Sequence, residues 1–328
     1  MLNANSKLND KLFSKDVEMI PTRDGFGHGL VEAGEADERI VAVCADLAES
    51  TRAHWFKEKF PKRYVEVGVA EQNLATVASG MANYGKIPFI MSYATFSPGR
   101  NNEQIRTTIA INNVPVKVVG CHAGVSVGPD GATHQALEDM GLMRMLPRMT
   151  VINPCDSEEA RKATLWAAKH PGPVYIRLGR EKTPVITSKS TPFEPGKSQI
   201  FWKSADPAVA MIATGALVHN ALLAAKELSE EGIQTVVINL PFVKPMDMAM
   251  IEYVGKIGRV VTVEEHQIAG GMGSAVAEAL SQTKPAFQEF IGVHDQFGQS
   301  GNPDELIAHY GMDTSHIKLA VHKVLKRR

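Results

Sequence analysis

Apolar residues fall along this chain in two alternating rhythms. Short runs that are continuous or alternate at period two are followed by longer segments whose apolar residues recur every three to four positions, the strand and helix patterns respectively. The first pattern predicts strands at 39–45, 64–69, 87–93, 114–121, 150–153 and 174–178, and the second predicts helices at 71–83, 103–112, 134–145 and 157–169. Residues 187–196 are rich in Thr, Ser, Lys and Pro with no apolar periodicity, and read as a linker. The alternation then resumes, with strands at 209–212, 235–239, 259–263 and 287–293 and helices at 216–231, 246–254, 273–281 and 314–326. Strand followed by helix, repeated, is the arrangement of parallel sheets covered by helices. The predicted fold class is therefore α/β, with two parallel-sheet domains at 1–186 and 200–328 joined by a linker at 187–199. No repeat of solenoid length interrupts the pattern.

Parallel sheets bind ligands beyond the carboxyl ends of their strands, and the unusual polar residues of the first domain collect there. Asp46 and Ser50 follow the first predicted strand, Glu71 the second, Thr95, Phe96 and Arg100 the third, the loop from His122 to His134 the fourth, and Arg180 the sixth. In Val65-Glu66-Val67-Gly68-Val69-Ala70-Glu71-Gln72 the strand pattern gives way to a helix that Glu71 opens. An acidic residue there complements the helix dipole; buried, the same carboxyl group is placed for acid–base chemistry. The loop Cys121 to Gln135 carries glycines that allow close backbone approach and two histidines that exchange protons near neutral pH. Read alone, Gly128-Pro129-Asp130-Gly131 is an ordinary turn and His134 a helix cap.

Composition narrows the classes. With 328 residues and 44% hydrophobic content the chain can bury about two domain cores. A formal charge of −1 gives no electrostatic reason to expect nucleic acid or an anionic membrane as partner. Cys44, Cys121 and Cys155 are odd in number and lack CxxC spacing, so they suggest neither a disulfide framework nor a zinc site, and no metal-ligand set is expected. No apolar run approaches the ~20 residues of a membrane span, and the N-terminal segment is polar. These features predict a cytoplasmic protein that handles small molecules.

Three segments, in this order, carry a family resemblance: Val69-Ala70-Glu71-Gln72, Ala94-Thr95-Phe96 and Gly128-Pro129-Asp130-Gly131-Ala132-Thr133-His134-Gln135. They resemble the pyrimidine-binding domain of transketolase and its thiamine diphosphate-dependent relatives, and the remainder is similar to the C-terminal domain of those enzymes. Single-chain members begin with a domain that binds diphosphate and magnesium through Gly-Asp-Gly and paired asparagines. Gly-Asp-Gly is absent here, and Asn101-Asn102 and Asn112-Asn113 precede the nearest similar string, Pro129-Asp130-Gly131. The resemblance thus implies the C-terminal subunit of a split transketolase, moving a two-carbon ketol unit between phosphorylated sugars. It would be active only with an N-terminal partner that supplies diphosphate and magnesium binding, and would self-associate into a heterotetramer. Glu71 is implied to hydrogen-bond the cofactor's pyrimidine ring and hold a shared proton there. Asp46, Leu47 and Val69 are implied to line the pyrimidine pocket and Phe96 to form an aromatic wall. Leu47 and Val69 equally fit plain packing.

The same resemblance implies that His122, Asp130 and His134 contact the sugar's carbonyl-end hydroxyls and manage its proton transfers. Arg23, Ser50 and Arg180 are implied to hold the sugar phosphate, a task for which the guanidinium fork is suited. As isolated residues, Arg23 and Arg180 read as surface ion-pair partners; their place in register with Asp46 and Glu71 is what points to the site. Arg23, before the first strand, is expected on a loop over the site. Where single-chain transketolases continue with further aromatics, this chain has Ser97-Pro98-Gly99-Arg100. Arg100 is similar to an arginine of the deoxyxylulose phosphate synthases and is implied to stack on the ring in place of an aromatic side chain. This keeps open a synthase of that kind using pyruvate, the β chain of a 2-oxo acid dehydrogenase, and, from another class, a non-catalytic scaffold. Gly270-Gly271-Met272-Gly273, after Glu264-Glu265-His266, lacks the third small residue of a dinucleotide fingerprint and reads as a tight turn.

Overall fold

The computed structural model describes residues 1–327. Its strands, in chain order, are β1 (Met19–Pro21), β2 (Ile40–Cys44), β3 (Tyr64–Glu66), β4 (Ile87–Tyr93), β5 (Lys117–Cys121), β6 (Thr150–Ile152), β7 (Val174–Arg177), β8 (Lys182–Pro184), β9 (Gln199–Trp202), β10 (Val209–Ala213), β11 (Thr235–Asn239), β12 (Phe242–Lys244), β13 (Arg259–Gln267) and β14 (Phe287–Val293). The first large sheet has the order β12-β6-β7-β5-β4-β2-β3 and is parallel except for its antiparallel edge β12. The second has the order β14-β13-β10-β11-β9, parallel except for β9. Helices cover both faces of the first sheet, so β2 and β5 are buried along their whole length, as continuous apolar runs require. Chain order reverses beside β2, which has β3 on one side and β4 on the other. That is the switch point at which ligands enter doubly wound sheets.

Several elements differ from the sequence reading. Arg23 lies in the first turn of a helix, Thr22–Ala36, and not on a loop. Its sequence, TRDGFGHGLVEAGEA, carries four glycines, each costing about 1 kcal/mol relative to alanine in a helix. Packing explains them. A Cβ at Gly25 would overlap the Ser157 carbonyl, and one at Gly29 would lie 2.9 Å from that of Arg161. The helix thus seats directly on the backbone of helix Ser157–Lys169, and close approach replaces local propensity as its support. The second predicted strand ends at Glu66, since Gly68 turns to φ +70. Residues 134–138 stay irregular and the helix starts at Asp139, while 105–110 wind as a π-helix.

Short elements without an apolar repeat place the site. β1 pairs antiparallel with β8, Pro21 opposite Lys182, so Arg23 and Arg180 emerge at the same edge. The Thr22 hydroxyl, accepting from the Gly179 N–H at 2.8 Å, locks that register. Strand β12 crosses back from the second half of the chain to cap β6. Residues 187–196 hold neither helix nor strand, yet they are pinned: the buried Asp156 carboxylate accepts from the Thr187 N–H and hydroxyl, and Lys162 donates to the Ser188 and Thr191 carbonyls. All three cysteines are buried and free. Among the described residues no helix is long and apolar enough to cross a membrane.

Candidate active site

At the carboxyl edge of β2 and β3 the chain makes two left-handed turns, at Asp46 (φ +59) and Gly68 (φ +70). The Asp46 and Gly68 N–H groups both donate to Glu66 Oε1, at 2.7 and 3.0 Å, and the Tyr64 hydroxyl donates to Oε2 at 2.6 Å. Beyond these turns Val69 is 71% exposed, whereas Leu47 is half-buried against the core of the first sheet. Glu71 then opens helix Glu71–Asn83 with its side chain only 2% exposed. Its Oε2 is buried without a hydrogen-bond partner. Asn101, fully buried, donates from Nδ2 to the Glu71 carbonyl at 2.9 Å and to Ser97 Oγ at 3.2 Å, tying the turn after β4 to the start of this helix. An unpartnered buried carboxyl oxygen costs about 1–3 kcal/mol. Such an atom is retained where something else is to meet it.

A second group gathers across the ends of β4, β5 and β7. Tyr93 stacks on His122 with ring centroids 3.9 Å apart and meets the edge of His134 at 5.9 Å; Phe96 meets His134 at 5.4 Å. Arg23 Nη1 donates to the Ser50 carbonyl at 2.9 Å and lies 3.3 Å from His122 Nε2. Arginine has only donors, so Nε2 is the acceptor and the neutral ring carries its proton on Nδ1, an atom buried without a partner. Burial first, then the charges of Arg23, Arg180 and Arg52, push the His122 pKa down to about 3. Arg180 donates to the Val127 carbonyl at 2.6 Å and lies 3.8 Å from Asp130. Arg52 is held by Asp24 at 2.6 Å.

The candidate residues thus fall into two neighbouring sets on one edge of the sheet. Asp46, Leu47, Val69 and Glu71 stand at the β2 and β3 ends. Arg23, Ser50, Phe96, His122 and His134 are linked by the contacts above, with Arg180 and Asp130 paired beside them, close enough for the Arg180 charge to act on His122. Arg100 is exposed on the turn after Phe96; its backbone N–H donates to the Phe96 carbonyl at 2.9 Å, while its side chain joins neither set. Three positions were not anticipated as parts of the site: Tyr93, Glu66 and Asn101. Tyr93 and Glu66 end strands whose following residues already stood out; Asn101 has no signal beyond its place in an asparagine pair.

The second domain buttresses the His122–His134 loop. Glu265 accepts from the Ser126 N–H at 2.6 Å, and the buried Arg177, paired with Asp139 at 2.8 Å, donates to the Glu265 carbonyl at 2.8 Å. Glu264 accepts from the Met272 and Gly273 N–H groups at 2.6 and 2.7 Å, so the glycine run turns the chain into a helix whose start this carboxyl group caps. Burial pushes the Glu264 pKa up to about 7. Among the described residues no group of three or more His, Cys, Asp or Glu side chains is placed to hold a metal ion.

Comparison with known proteins agrees with the two-domain α/β fold. The family model for the transketolase pyrimidine-binding domain matches residues 18–185, and that for the transketolase C-terminal domain matches residues 199–317. The chain is 39% identical to the 6-deoxy-6-sulfo-D-fructose transketolase subunit of Clostridium sp., covering 93% of this chain and 95% of that protein. It is 36% identical to an apulose-4-phosphate transketolase subunit of Phocaeicola vulgatus, covering 94% and 99%. A solved structure described as a split gene transketolase, an inactive β4 tetramer, superposes with a TM-score of 0.87 at 42% identity, covering 93% of this chain and 98% of that one.

Proposed function

The chain belongs to the transketolase family, and from that premise we propose that it is the catalytic C-terminal subunit of a two-chain transketolase. It transfers a two-carbon ketol unit between phosphorylated sugars with thiamine diphosphate. The observation that carries this reading is the buried, unpartnered Oε2 of Glu71 at the switch-point edge of the first sheet. A carboxyl group that lacks a partner inside the chain fits one supplied by a ring nitrogen of the cofactor's pyrimidine. What thiamine diphosphate supplies when bound is carbanion stabilisation. What this chain supplies is placement: Glu71 holds a proton at the ring nitrogen, and Asp46, Leu47, Val69, Phe96 and Arg100 surround the ring.

The diphosphate and its magnesium ion fall to an N-terminal partner subunit, and the two kinds of chain assemble as a heterotetramer. This rests on the absence of Gly-Asp-Gly from the chain and on its likeness, over nearly its full length, to proteins named as transketolase subunits. Arg23, Ser50 and Arg180 hold the anionic end of the sugar. His122 belongs with them as a neutral Nδ1–H donor, because Arg23 occupies its Nε2. His134 and Asp130, farther along the same loop as His122, are left to contact hydroxyls.

The test is to mix the chain with its N-terminal subunit, thiamine diphosphate and magnesium, and to compare a phosphorylated ketose with pyruvate as donor. Turnover of the ketose is expected. Preference for pyruvate, or no turnover of either, refutes the proposal. The guanidinium groups suit a sulfonate as well as a phosphate, so a sulfo sugar, the substrate type in the name of the Clostridium relative, belongs in the donor panel.

A further inference from the structure

Glu66 makes three hydrogen bonds with one carboxyl group, and their destinations are informative. Oε1 takes the N–H of Asp46, which follows β2, at 2.7 Å and that of Gly68, which follows β3, at 3.0 Å. Oε2 takes the Tyr64 hydroxyl at 2.6 Å. β2 and β3 are parallel neighbours with Cys44 opposite Glu66. The chain turns left-handed just past each strand, at Asp46 and Gly68. Left-handed backbone at a non-glycine residue such as Asp46 costs about 1 kcal/mol or more and persists where surrounding contacts over-determine it. Here one anionic acceptor fastens both turns. Each turn leads to residues facing the proposed cofactor: Asp46 and Leu47 on one, Val69 and Glu71 on the other. Glu66 is itself exposed, and it contributes no apolar core to either strand.

We propose that Glu66 is a positioning residue that sets the two pyrimidine-facing turns before cofactor and partner arrive. The proposal rests on the functional reading above. It adds that the geometry of the pocket is preassembled in this chain, so that binding spends little free energy on ordering these loops. Tyr64 fixes the carboxyl plane by holding the second oxygen. A glutamine at this position retains one carbonyl acceptor able to take both N–H groups, whereas alanine has none.

Two readouts test it. The first uses the isolated full chain and needs no activity: amide hydrogen exchange in peptides covering Asp46 and Gly68. Exchange there should rise about ten-fold or more in Glu66→Ala and return to within about three-fold of wild type in Glu66→Gln, a change matching the loss of a charge-assisted hydrogen bond. Exchange in β11, in the other sheet, should not change. The second uses the assembled two-chain enzyme and calorimetric titration with thiamine diphosphate and magnesium. Glu66→Ala should weaken cofactor binding about ten-fold with kcat at saturating cofactor nearly unchanged, and Glu66→Gln should restore affinity. Unchanged exchange at Asp46 and Gly68 in Glu66→Ala overturns the clamp. Unchanged affinity in a complex whose wild type binds cofactor overturns its role in positioning. If the wild-type complex binds no cofactor, the functional reading fails and the positioning role with it, a result distinguishable from failure of the clamp because exchange in the isolated chain is read separately.

Discussion

Replacing Glu71 with methionine should separate stability from function. The side chain is 2% exposed, its Oε2 has no partner, and the residue occupies the first position of its helix. Methionine is unbranched and similar in length, so it fills the same space without a buried unpartnered acceptor. Removing that acceptor is worth about 1–3 kcal/mol. Against it stands the lost interaction of an acidic side chain with the helix N-terminus, about 0.3–1 kcal/mol. Helix propensities of the two residues are nearly equal. The unpartnered oxygen outweighs the dipole, and the net expectation is an isolated chain stabilised by about 1–2 kcal/mol. Chemical denaturation of the purified chain measures this, with the m-value checked for constancy. In the assembled enzyme the same substitution should reduce kcat by a factor of about 10² to 10⁴, the usual range for losing a positioned proton-holding group. A Glu71→Met chain that is less stable than wild type and still supports full turnover in the complex would refute both halves of the reasoning.

Arg23→Ala should raise KM for a phosphorylated sugar about ten-fold or more while leaving KM for its unphosphorylated counterpart nearly unchanged, as expected for a charge-assisted contact to the phosphate; steady-state kinetics on the matched pair decides it. The His122 pKa is held at about 3, against 6.5 when unfolded, so His122 stays neutral through the physiological range and His122→Asn should alter the height, but not the shape, of the pH profile of kcat/KM between pH 5 and 8. Because the unfolded histidine takes up its proton first, stability should fall as pH drops from about 6.5 towards 3, and His122→Asn should lessen that fall in denaturation series. Gly25→Ala should destabilise by about 1–3 kcal/mol, since its Cβ would overlap the Ser157 carbonyl. Gly80→Ala, a helical position with nothing within 4 Å of the new Cβ, should stabilise by about 0.5–1 kcal/mol in the same assay.

The parts of this fold that were legible in the sequence are those in which local preference and burial agree. β4 and the helices at Glu71–Asn83 and Ser157–Lys169 appear at their predicted bounds because apolar periodicity, strand or helix type and burial all coincide there. Helix Thr22–Ala36 was hidden because its glycines serve contact with another helix, and a single sequence records the cost of glycine without showing its neighbour. β1, β8 and β12 are three residues each, too short for any period to register, yet β1 and β8 bring Arg23 beside Arg180. At the site, residues immediately after strands could be picked out because sheet topology makes such positions special. Tyr93 and Glu66 sit on the last residue of a strand and pass for ordinary sheet members; their roles lie in a ring stacked on His122 and in two N–H groups shared between neighbouring turns, relations that exist only once the chain is folded.

The central claim is that this chain holds the pyrimidine-activating half of a divided site and completes it only with a second subunit. The direct measurement is ketol transfer from a phosphorylated ketose, with thiamine diphosphate and magnesium present, by the purified chain, by the N-terminal subunit, and by their mixture. Turnover confined to the mixture and saturating at a fixed ratio of the two chains is the predicted result. Robust turnover by this chain alone would contradict the account.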